Sequence, residues 1–130
     1  MRNFAATLLL PVLLLAGCAT TPIGPPKQVN DVRELAGRWQ GWSTFGDSVS
    51  VVITEDGRFQ VTLTEPGNAR SHHIPGRLRL DGGVLTLSSG GADIGTLTLH
   101  EADGTRVLKG DGRRARDGAP YTVEVTETKY

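Results

Sequence analysis

The sequence predicts an all-β fold: a small antiparallel up-and-down barrel of about eight strands, preceded by a short helix. Three observations predict it. Beyond Gly37, apolar residues recur at every second position, the period of a half-buried strand. Turn chemistry falls between these runs, at Asp56-Gly57, Pro66-Gly67-Asn68, Asp81-Gly82-Gly83, Gly90-Gly91 and Asp103-Gly104. No helical period separates them, so consecutive hairpins form a meander. Closing the meander removes both of its edges, which favours a barrel over a flattened sandwich.

The chain opens with Met1, Arg2 and Asn3, a head with one positive charge, followed by an uncharged apolar segment over residues 4–15. Twelve residues of helix reach only ~18 Å, short of the ~30 Å hydrocarbon core. That length fits a secretory signal and not a stable membrane span. Leu15-Ala16-Gly17-Cys18 then resembles the lipobox of bacterial lipoprotein signal peptides. The resemblance implies that residues 1–17 are removed and that the Cys18 thiol carries a diacylglyceryl group. Ala19 and Thr20 follow the cysteine where Asp would direct retention, which implies the periplasmic face of the outer membrane in a Gram-negative host. Gly17 and Ala19, small residues two apart, also suit a general signal peptidase cutting after Ala19. An anchor with two or more acyl chains holds stably, whereas a single chain binds marginally.

Without residues 1–17 the chain loses Arg2 alone among its charges, leaving 13 basic against 14 acidic residues. Such a balance argues against a nucleic-acid partner. Cys18 is the sole cysteine, so its acylation leaves no thiol for a disulfide, a metal site or a nucleophile. Residues 18–30 read as the lipidated cysteine and a flexible linker, with three prolines, one glycine and little to pack. As a coil the linker spans ~20 Å on average. Residues 31–130 form one domain.

Residues 31–36 carry the helix signal: Asn30 or Asp31 as cap, Glu34 in the first turn and Gly37 as terminator. The strands follow. Residues 38–45 come first. Val49, Val51 and Ile53 then alternate with polar residues, as do Phe59, Val61 and Leu63. Leu78 and Leu80, Leu85 and Leu87, Leu97 and Leu99, residues 106–110, and Tyr121, Val123 and Val125 complete the set.

The stretch Leu35-Ala36-Gly37-Arg38-Trp39, a short helix running into Gly-X-Trp, resembles the start of lipocalin and wider calycin barrels. The resemblance implies that Trp39 plugs the closed end and that an arginine stacks on it; Arg106 and the loop arginines compete for that place. It also implies a carrier of a small apolar ligand or lipid, although strands this short make a shallow barrel whose inward Leu and Val faces fit a solid core better. The same pattern resembles small barrel lipoproteins and periplasmic inhibitors of proteases or lysozyme, which share Leu-X-Gly-X-Trp and a late glycine-containing hairpin like residues 99–108.

Chemistry-bearing motifs are sparse. His72 and His73 are adjacent on a strand and point to opposite faces, so they cannot chelate one ion together. His72 shares the parity of Ile74, Leu78 and Leu80 and faces inward near an open end; His73 and His100 face outward. Ser43, Ser48, Ser50, Ser71, Ser88 and Ser89 sit in no Gly-X-Ser-X-Gly elbow. Glu55, Asp56 and Asp81 belong to turns, and the glycines lie in hairpins and not before a helix. Neither enzymatic activity, a metal nor a cofactor is expected.

Residues 110–120, "GDGRRARDGAP", interrupt the alternation for longest, with Arg113, Arg114 and Arg116 against Asp111 and Asp117. They form a solvated hairpin loop, or a patch whose guanidinium forks meet phosphate or carboxylate groups in a salt-sensitive way. The expectation is a monomeric, membrane-anchored binding module of the cell envelope. Its partner would be an envelope protein or an anionic lipid surface.

Overall fold

The structure is a computed structural model and describes residues 23–68, 70–114 and 117–128. Eight strands form it: β1 (Gly37–Ser43), β2 (Ser48–Ile53), β3 (Arg58–Thr64), β4 (Ser71–Asp81), β5 (Val84–Ser89), β6 (Ala92–Ala102), β7 (Thr105–Arg113) and β8 (Pro120–Thr128). Each pairs antiparallel with the next, and β8 returns to β1 with Gln40 opposite Thr126 and Trp42 opposite Glu124. The sheet is therefore a closed up-and-down barrel. Successive turns alternate between its ends. One end holds the turns after β2, β4 and β6, the start of β1 and the end of β8. The other holds the turns after β1, β3, β5 and β7.

The expected short helix is a 3-10 turn, Val32–Leu35. Its bonds run from Glu34 N to Asp31 O and from Ala36 N to Arg33 O, and Ala36 is already extended. Asp31 caps it, and Glu34 reaches back to the Asp31 amide in a capping box. The cap signal was legible. Four residues are too few to repay α-helix nucleation.

Several strands run past their apolar alternation. β4 starts at Ser71 and continues through Pro75. Residues 71–76 pair with β3 alone, since β5 joins only at Arg77, and such an edge-like stretch tolerates proline. The Ser89 hydroxyl donates to the Pro75 carbonyl at 2.5 Å and closes that gap. In β6, Ile94 is the extra residue of a bulge between the Leu87–Gly95 and Ser88–Asp93 pairs. Both central residues have positive φ in three two-residue turns, Gly82-Gly83, Gly90-Gly91 and Asp103-Gly104. That conformation matches the twist of the flanking strands.

Inward positions are apolar. Leu35, Trp39, Val49, Leu85, Leu108 and Val125 are fully buried. Outward positions such as Arg58, Gln60, Arg77, Arg79, Thr96 and Thr98 are exposed. This is the reverse of a barrel that faces lipid. The inner face is crowded at Gly110, where a Cβ would lie 2.9 Å from Val123 Cγ2 and 3.1 Å from Leu97 Cδ2. Nearer the rim, Val61, Leu63, Ile74, Leu87 and Val123 are only partly buried.

The expected linker ends earlier than residue 30. Gly24 N donates to Glu101 O, Lys27 N donates to Leu99 O, and Val29 is 3% exposed within the core. β5 pairs with β6 only up to Leu97, which leaves the far end of β6 without a neighbour on that side. Residues 24–29 run along that edge as a strap, protecting backbone groups that would otherwise be open. His100 faces outward as expected, but it is buried because the strap crosses it.

Candidate functional site

The residues singled out from the sequence divide between the two ends of the barrel. Trp39 lies at the closed end, in register with Glu127. Its indole N–H donates to the Leu35 carbonyl at 3.0 Å, so the 3-10 turn is pinned as a plug beneath the ring. Arg106 is the arginine that stacks there, its guanidinium carbon 5.2 Å from the Trp39 ring centre. Arg106 also donates to the Glu34 carbonyl at 2.7 Å and makes a two-pronged contact with Glu127, at 2.9 and 2.5 Å. The Glu127 carboxylate holds the guanidinium pKa above its ordinary value, partial burial opposing it. A fork bonded to carboxylate and carbonyl while stacked on an aromatic is a geometry that lysine cannot reproduce. This end is a structural latch: the Glu34 and Leu35 carbonyls of the plug each accept a side-chain hydrogen bond, and its aromatic is sealed from solvent.

The other end is an open rim. His72 sits there on the inner face, in register with Leu63, but is half-exposed and bonded to Glu65 Oε2 at 3.0 Å. His73 faces outward against Thr62 Oγ1. Arg113 donates to the Gly118 carbonyl at 2.9 Å. Arg114 pairs with Asp117 at 2.7 Å and lies over Phe45, 3.9 Å from the ring centre. β4 and β7 stand on different sides of the rim, so His72 is not gathered with the arginines. Cys18 and Arg116 lie outside the described residues.

Reading the sequence missed the cluster that Arg114 joins. Phe45 and Tyr121 pack with ring centres 5.4 Å apart, and the Tyr121 hydroxyl donates to Asp47 Oδ2 at 2.8 Å. The buried Ser43 hydroxyl accepts from the Phe45 and Asp47 amides and contacts Asp47 Oδ2. The β1–β2 turn is thereby rigid, and it presents Phe45 at 38% exposure. This first turn and the last strand meet only through closure of the barrel, which no local alternation encodes.

Beside the cluster, an open groove of about 420 Å³ runs along the outer wall over β1 and β8, between Gln40–Thr44 and Thr122–Thr126. Trp42 flanks it at 66% exposure. The two strands approach so closely at Gly41 that a Cβ would collide with the Glu124 carbonyl oxygen. Glycine is obligatory there.

No protein-family model matches the chain, and no curated protein or solved structure is significantly similar to it.

Proposed function

We propose that this chain is a lipid-anchored, periplasm-facing binding module of the bacterial envelope, non-enzymatic, which engages its partner through its surface. The packed core carries this reading. Leu97 and Val123 occupy the space a side chain at Gly110 would need, and Leu35 and Trp39 close the end below. Exposed aromatics are instead placed on the rim and wall, at Phe45 and Trp42, and aromatic and arginine side chains are the residues that dominate protein recognition. Arg113, whose guanidinium donates to the Gly118 carbonyl and not to a carboxylate, adds positive charge to that rim, suited to an acidic envelope partner. The lipobox at residues 15–18 supplies the anchor.

A carrier of the lipocalin type is the second reading. The Arg106–Trp39 stack at the closed end favours it, as do the partly buried Leu63, Ile74, Leu87 and Val123 near the rim. Native mass spectrometry of the purified full chain separates the two. The surface-binding reading expects the covalent mass of a lipid anchor with two or three acyl chains on Cys18 and no further lipid, with Cys18→Ser moving to the soluble fraction. A second lipid retained without a covalent bond supports the carrier. Membrane retention of Cys18→Ser, with no acyl mass on the wild type, overturns the anchor.

A further inference from the structure

The groove over β1 and β8 has a chemistry of its own. Trp42 and Glu124 face each other across the strand pair, as do Gln40 and Thr126. All four side chains are exposed, and among the described residues none of them makes a side-chain hydrogen bond or ion pair. Outward Gln60, Arg77 and Thr96 are likewise without such a bond among the described residues, so what sets this group apart is the exposed indole of Trp42 beside it. The free groups are an indole face with its N–H, an amide, a hydroxyl and a carboxylate, which together offer donors and acceptors in several directions. No lysine or arginine lines the groove itself, and the cation in register beside it, Lys109, stands opposite the Glu124 carboxylate. A large apolar surface would find only one ring to cover.

We propose that this groove binds a neutral oligosaccharide. The axial C–H groups of one sugar ring would lie on the exposed Trp42 face. Its hydroxyls would bond to Glu124, Gln40 and Thr126. A polyol fits this combination because it has an apolar ring face and a ring of hydroxyl groups, each able to donate and accept. A volume of about 420 Å³ lies within the usual range of small-ligand sites. The obligatory glycine at 41 lets β1 and β8 approach closely beneath the groove. The inference rests on the surface-binding reading and names one ligand class for that surface.

The test uses the full chain in a detergent without a sugar headgroup. The probes are the β-1,4-linked trimer of N-acetylglucosamine and, as a second sugar source, maltotriose. Trp39 is sealed in the core, so acrylamide quenching reports on Trp42. Saturable protection of that fluorescence by either trimer supports the site, and a preference between the two identifies the source. By calorimetry, Trp42→Ala should weaken binding at least about tenfold, as expected when a central aromatic is lost. Trp42→Tyr should retain most of it, and Glu124→Gln should weaken it without changing the thermal midpoint. The proposal is overturned by absence of protection and heat with both trimers at millimolar concentration. Equal binding by Trp42→Ala overturns it too. Failure with both sugars while an acidic envelope protein is still captured through Arg113 removes the saccharide and leaves surface binding in place.

Discussion

Burial of Tyr121 pushes its pKa from 10.0 up to about 12, and the Asp47 carboxylate facing the hydroxyl adds to the effect. The folded protein therefore holds the phenolic proton more tightly than the unfolded chain does. This contributes no pH dependence below pH 10. Between about 10 and 12 the unfolded chain releases the proton first, so stability falls as pH rises through that window. Tyr121→Phe keeps the packing on Phe45 but has no proton to lose. It should cost about 1 kcal/mol at neutral pH, for the bond to Asp47, and its stability should fall less than the wild type's from pH 10 to 12. Urea unfolding of both proteins at each pH measures the difference, and parallel curves would disprove the coupling. Single residues were legible where their roles are local, as with Trp39 after Gly-X and Asp31 as cap. Arg106 was one candidate among several because its place follows from register: positions 106, 108, 110 and 112 of β7 face inward, and a charge among them had to lie at a barrel end.

At the scale of elements, the strands and their turns were legible because period two and left-handed turn pairs are local signals. The strap was not. Its prolines and scarcity of apolar residues describe a loop, and its docking depends on an edge that exists only because β6 outruns β5. His100 holds it. A carbonyl can only accept, so Nδ1 carries the proton donated to Gly24 O at 2.9 Å, and in the neutral ring Nε2 accepts from the Thr98 hydroxyl at 2.7 Å. The Lys27–Glu101 pair is half-exposed and adds less than about 1 kcal/mol. His100→Ala removes both ring hydrogen bonds, of which the one to Gly24 O holds the strap and is worth about 1 kcal/mol. Amide exchange at Gly24 and Lys27 should then speed roughly fivefold, while amides between β2 and β3 keep their rates. Unchanged exchange at Gly24 would show that the backbone bonds hold the strap without His100.

For the whole molecule, barrel closure was legible as a class and its asymmetry was not. The latch and strap gather at one end, the aromatic rim at the other, and only the register shows which turns share an end. Docking of the strap at Gly24 leaves five residues between it and Cys18, a reach of at most ~20 Å. The nine residues of β7 rise ~30 Å along the strand, or ~23 Å along a barrel axis tilted by 35–45°. With Cys18 acylated, the tether is too short to turn the rim onto its own bilayer. The protein then has a proximal pole and a distal pole. A dye at Thr105→Cys should be quenched by nitroxide-labelled lipid and one at Ala119→Cys should not; equal quenching would mean that the domain tumbles freely. The strap thus does more than cover an edge. Under the proposed anchoring it would give the domain a heading, and a partner met across the rim would lie on the side away from the leaflet that carries Cys18.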